Sequence, residues 1–231
     1  MPMAPLLRLI GVIAYFWMAH RAIESGSELF AGVALGLLVF IVFVGRLLLA
    51  ERKAILISGA LIALIVVLVA TRYALTSLLF VPTIFLALAA SLFGRTLIKG
   101  RTPLLVTAAS LVEAVRPGDL EADVRTYTTR QTCAWAVLLS VLAVFNLFLA
   151  LVATPDGVLA RIGHPVGGLV SSEAATRLMP WVIYLSVAGF LVGEFIYRQR
   201  RFPGRYKSAW DYVQKLAKVP MKSWQTAFEQ P

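Results

Sequence analysis

Charged residues set inside long apolar stretches are the part of this chain best placed to do chemistry. Arg46 lies within the apolar stretch 29–50 and Glu194 within 178–197. Arg95 and Arg130 flank the loop between two further stretches, and Arg201 follows close behind Glu194. An ionised group in hydrocarbon is expensive, so such residues pair with one another, reach for the interface, or serve a ligand. Arg46, Arg95, Arg130 and Glu194 fall at one level of the membrane, and an Arg46–Glu194 pair is the expectation, since each would otherwise be an unpaired charge at reduced dielectric. Two roles suit this polar layer. It can be a packing-and-orientation device, or its arginines can act as bidentate donors to an anionic headgroup, a phosphate or a carboxylate.

Other chemistries are poorly served. Cys133 is the single cysteine, which excludes an intramolecular disulfide and a cysteine-based metal site. The two histidines, His20 and His164, have no aspartate four or five residues later, as an acyl-transfer His-Asp motif needs. There is no G-x-x-x-x-G-K-[ST] phosphate loop, no H-E-x-x-H and no G-x-S-x-G. No metal, cofactor or catalytic residue is therefore expected.

The elements that must hold these charges follow from composition. Of 231 residues, 59% are hydrophobic and 15% charged. A soluble domain carries about 25% charge, and disorder needs low hydrophobicity, so both are excluded. Mean hydropathy is +0.81. The expected fold is all-α and polytopic, with six transmembrane spans near 5–19, 29–50, 54–70, 74–94, 131–153 and 178–197. The first is short for a full crossing and carries Arg8, which can snorkel. Pro82 should kink the fourth span. Ala19-His20-Arg21 is a poor cleavage site, so a removed signal peptide is not expected.

The formal charge of +10 comes from 22 Lys and Arg against 12 Asp and Glu. Arg8, Arg52, Lys53, the loop 95–130 and the tail from Arg198 carry most of the cations, all on the side of the two termini. Arg21, Arg72, Arg161 and Arg177 are alone on the other. The positive-inside rule then places both termini in the cytoplasm and the protein in an inner membrane. In this setting the charge points to the cytoplasmic loops and an anionic lipid surface rather than to nucleic acid.

Within the loop 95–130, Thr102 and Pro103 read as N-cap and first residue of a helix. Leu104, Leu105, Ala108, Leu111, Val112 and Val115 would form its apolar face. Asp119 would cap a second helix running into the fifth span. The tail 198–231 interleaves Lys207, Lys215 and Lys218 with Trp210, the pattern of an amphipathic segment at a headgroup layer; a solvated tail that only fixes topology reads equally well. Asn146 should make an interhelical hydrogen bond, and Gly32-x-x-x-Gly36 permits close helix approach. Trp135, Phe145 and Phe148 read as packing and lipid contacts.

Three stretches also carry a resemblance. Phe93-Gly94-Arg95-Thr96-Leu97, Tyr127-Thr128-Thr129-Arg130-Gln131-Thr132-Cys133-Ala134-Trp135 and Gly193-Glu194-Phe195-Ile196-Tyr197-Arg198, then Arg200-Arg201-Phe202-Pro203, resemble a family of small bacterial integral membrane proteins. Those proteins occur beside genes for aryl polyene and xanthomonadin-type pigments. The likeness runs over residues 54–215, and Asn146 matches as well. Thr129 and Cys133 depart from the arginine and tryptophan that the family commonly has there. The label ketosynthase, sometimes attached to such proteins, conflicts with these residues, because a condensing enzyme needs a nucleophilic cysteine with basic partners in a large soluble fold. The resemblance implies an accessory role in synthesis or hand-over of a polyene lipid at the cytoplasmic face, and the basic surface would suit anionic lipid or an acidic acyl carrier protein as partner. A lipid transporter or flippase is the alternative, and an intramembrane transferase a second one.

Overall fold

The computed structural model describes residues 3–155, 157–166, 170–202, 214–215 and 217–220. Among the described residues the chain is helical and contains no strand. In chain order the helices are α1 (Met3–Ser25), α2 (Glu28–Leu47), α3 (Arg52–Ala70), α4 (Ala74–Leu79), α5 (Val81–Arg95), α6 (Leu104–Glu113), α7 (Ala122–Val152), α8 (Val158–Arg161) and α9 (Ser172–Arg201). Six segments are long and apolar enough to cross a membrane: α1, α2, α3, α4 with α5, α7 and α9. Leu29, Leu56, Val144 and Leu185 are among the many large apolar side chains left on the outside. Apolar cover on this scale is tolerated against lipid and not against water.

The helix boundaries refine the hydropathy reading. α1 does not stop at residue 19. It continues through His20 and Arg21 to Ser25, and Gly26 then adopts a left-handed φ of 61°, the usual stop for a helix. At about 1.5 Å per residue its 23 residues span roughly 34 Å, enough for a full crossing. The fourth span is broken rather than gently bent. Pro82 cannot donate a backbone hydrogen bond, and the chain tightens at Phe80, whose N–H turns back to the Ser77 carbonyl at 3.1 Å. α9 begins at Ser172, before the expected 178, and carries Pro180 inside it.

The chain divides into two compact units. The first comprises residues 1–81 and 148–172. Its core is made of small side chains, Ala22, Ala31, Ala34 and Ala74, closed by Leu78 and Val81. Gly32 lies so close to Val69 of α3 that no side chain fits between them, whereas Gly36 is looser, with Ile62 at 3.7 Å from where a Cβ would stand. The glycine pair in α2 therefore serves contact within the chain. Glycine is equally required at 157, where a Cβ would strike the backbone of Ala153. The segment after α7 holds the short α8, and a bridge joins Thr154 to Ser171.

The second unit comprises residues 82–147 and 173–231. Leu86, Ala90, Leu139, Leu142 and Ala143 form its main core, joined by Phe93, Trp135 and Val187. A smaller cluster, Val106, Ala109, Leu120 and Val124, packs α6 against the start of α7 and against Phe202. Here the expected apolar face of α6 is corrected at all but Ala108, which is buried. The buried stretch is Val106–Thr107–Ala108–Ala109–Ser110, while Leu111, Val112 and Val115 stay partly or fully open. Small residues let α6 sink closely among its neighbours, which the leucine face would not allow. The second loop helix is also not capped by Asp119. The first bond of the new helix runs from Arg125 N–H to the Glu121 carbonyl, and from Ala122 the helix is continuous through the fifth span for 31 residues.

Candidate functional site

Glu194 is the centre of the polar structure in the second unit. Its Oε1 accepts from Tyr127 Oη at 2.6 Å and from Arg198 Nε at 2.7 Å. The Arg198 Nη2 also reaches that oxygen, at 2.6 Å. Arg198 stands four residues after Glu194, so both side chains rise from one face of α9. Both are largely buried, with 16% and 10% of the side chains exposed. Tyr127 comes from α7, and its ring stacks on Tyr197 at 5.8 Å and meets the edge of Phe202 at 5.4 Å. Arg201 reaches Asp123 at 3.1 Å, with both side chains more than half exposed. The last turns of α9 are thus tied to the first turns of α7.

The expected Arg46–Glu194 pair is therefore replaced. Glu194 takes its partners from its own helix and from α7. Arg46, in the first unit, has its Nε 3.9 Å from Glu51 and keeps 67% of its side chain exposed. The cause is local: Arg198 at i+4 and Tyr127 satisfy the carboxylate at short range. Arg95 and Arg130 lie in the second unit and are exposed.

Threonine hydroxyls do work that the sequence reading gave to other residues. Thr102 does not cap α6. Pro103 stands at that N-cap with no side-chain bond, and the helix starts at Leu104. The Leu104 N–H instead donates to Thr96 Oγ1 at 3.0 Å, and the Leu105 N–H to Thr132 Oγ1 at 3.2 Å. Thr132, fully buried, itself donates to the Thr128 carbonyl at 2.8 Å. Two orphan donors at a helix start are so satisfied from two other segments. Nearby, Trp135 stacks on Phe93 at 6.0 Å and meets Phe190 edge-on at 4.7 Å. Thr96, Tyr127 and Thr132 escaped the sequence reading as functional residues.

Asn146 of α7 donates to Thr83 of α5 at 2.6 Å, an interhelical bond in a site where it is 1% exposed. Its Oδ1 has no partner among the described residues. The open end of α6 forms one wall of a groove of about 440 Å³, with Ser110, Leu111, Ala114 and Val115 on that side. Lys215, Lys218, Val219 and Pro220 form the other. Lys207 and Trp210, the other expected surface-binding residues, lie outside the described residues. Cys133 is exposed, and among the described residues no group of His, Cys, Asp and Glu could hold a metal ion.

The first unit has its own polar cluster, which the sequence reading missed. Glu28, at the start of α2, accepts the Leu75 N–H at 2.9 Å, so it caps α4 from a distance of 47 residues. Arg161 of α8 approaches the same carboxylate at 3.6 Å, donates to the Arg72 carbonyl, and lies 6.0 Å from the centre of the Tyr73 ring. At the opposite end of α2, the Arg8 guanidinium rests on Gly45, where an added Cβ would stand 3.0 Å from Nη2. Comparison of the chain with protein-family models, with curated proteins and with solved structures finds no match.

Proposed function

We propose that this chain is a multi-pass protein of the bacterial inner membrane, with both termini in the cytoplasm, that supports synthesis or hand-over of an aryl polyene or xanthomonadin-type lipid. Its role in that reading is binding rather than bond-making. The observation that carries it is the groove at the end of α6, apolar on Leu111, Val115 and Val219 and flanked by the exposed Lys215 and Lys218. An acyl or polyene segment fits the apolar wall. An anionic headgroup, or the acidic surface of an acyl carrier protein, fits the lysines. The polar groups around Glu194 are engaged with one another and hold helices together, which favours an accessory over a transferase. The pigment assignment itself rests on the resemblance of the three stretches described above.

The test is mass spectrometry of what co-purifies with the full chain, extracted gently from its host at low salt. A polyene lipid or an acyl carrier protein should be present, and should be lost on Lys215→Glu with Lys218→Glu. Recovery of bulk phospholipid alone would remove the reading. Movement of the lipid across proteoliposomes would replace it by transport.

A further inference from the structure

The end of the first unit where α2 turns into α3 concentrates cations in a way the groove reading does not use. Arg8 of α1 rests its guanidinium on Gly45, and the next residue, Arg46, is largely exposed. The turn that follows exposes Leu48 and Leu49, and Ala50 adopts a left-handed φ of 51° that brings the chain sharply back. α3 then begins with the exposed pair Arg52 and Lys53, and its N-cap residue, Glu51, makes no side-chain capping bond. The one acid at this turn, Glu51, lies 3.9 Å from Arg46, too far for a hydrogen bond. Charge here is far from balanced, and an uncapped helix start adds positive potential.

We propose that Arg8 and Arg46, with Arg52 and Lys53 across the turn, bind the phosphate of an anionic phospholipid. Gly45 is the positioning residue. Because Gly45 has no side chain, the Arg8 guanidinium can reach the surface of α2 one residue before Arg46, where a planar fork can serve two phosphate oxygens. The site is independent of the polyene reading, since it needs only an anionic glycerophospholipid and lies in the other unit.

Native mass spectrometry of the full chain, exchanged into phosphatidylglycerol or phosphatidylcholine, reads the site directly. Phosphatidylglycerol should be retained preferentially. Arg8→Gln and Arg46→Gln should each lower that retention about tenfold, the loss expected for one charge-assisted contact. Gly45→Leu, which changes no charge, should lower it severalfold by lifting Arg8 off the helix, and Arg8→Lys should restore part of what Arg8→Gln loses. Arg95→Gln and Arg130→Gln, in the second unit, should leave it unchanged. Size-exclusion profile and helicity identify any variant that fails to fold, and Arg8→Lys keeps the comparison open in that case. Equal retention of the two lipids, an equal fall in the Arg95 and Arg130 variants, or displacement by millimolar inorganic phosphate would overturn the proposal. The last result would assign the cations to a free anion.

Discussion

The two units solve the same problem with different chemistry. Lipid supplies no hydrophobic force between helices, so contact has to come from close packing or from polar bonds. The first unit relies on packing: four buried alanines and a glycine with no room for a side chain against Val69, with a polar cluster around Glu28 at one end of α2. The second unit uses polar bonds and rings: Tyr127, Glu194 and Arg198 at one level, Thr96 and Thr132 at the start of α6, Asn146 with Thr83 deeper in α7. A packed unit should be sensitive to added volume, and a bonded unit to removed atoms.

The largest effect expected falls on the bonded unit. Glu194→Ala leaves Arg198 and Tyr127 without their acceptor in a mostly buried site, and should cost about 3 kcal/mol, the lower end for breaking a buried pair. Unfolding in mixed micelles of rising SDS content reads this, and a loss below about 1 kcal/mol would break the contrast. Next comes the packed unit. Gly32→Leu should cost about 2 kcal/mol by overpacking against Val69, while Gly36→Leu, in the looser position, should cost clearly less. Equal costs at the two glycines would mean that packing is not what joins α2 to α3.

Smaller effects sharpen the comparison. Asn146→Ala should cost about 1 kcal/mol, and a double-mutant cycle with Thr83→Val should show that most of the loss is shared. Arg201→Ala should cost less than about 0.5 kcal/mol, because its pair with Asp123 is exposed, and the effect should vanish in high salt. A large Arg201 effect would show that the outer turns of α9 matter more than the Glu194 layer.

Much of the fold was legible because apolar length is a strong signal. Each of the six spans was found, and Pro82 marked the break that separates α4 from α5. Boundaries were less legible for a physical reason. Hydropathy ends a span at Arg130 or Arg21, but a helix does not end where charge begins, so α7 runs back to Ala122 and α1 forward to Ser25. Partners were least legible. Which side chain meets Glu194 depends on the rotation of α9 and α7 about their axes, which spacing along one chain does not reveal. Arg198 at i+4 was nonetheless readable as a neighbour and should have outranked the distant Arg46. The cap of α6 failed in the same way, since Thr96 and Thr132 reach it through space. The α6 face was legible at Ala108 but not at Ala109 and Ser110, because large residues weigh most in an apolar pattern while small ones allow the closest approach.

The unbroken length of α7 has a mechanical consequence. Its 31 residues extend about 46 Å, whereas the hydrocarbon layer is about 30 Å thick. About 16 Å of helix is left over, and α6 is fastened to it by the contact of Val124 with Val106 and Ala109, and to the first turn of the span by Thr132. A helix hung on such a mast cannot rise or sink alone. Any visitor to α6 is met at a fixed height, set by the geometry of a helix and not by the softness of a loop.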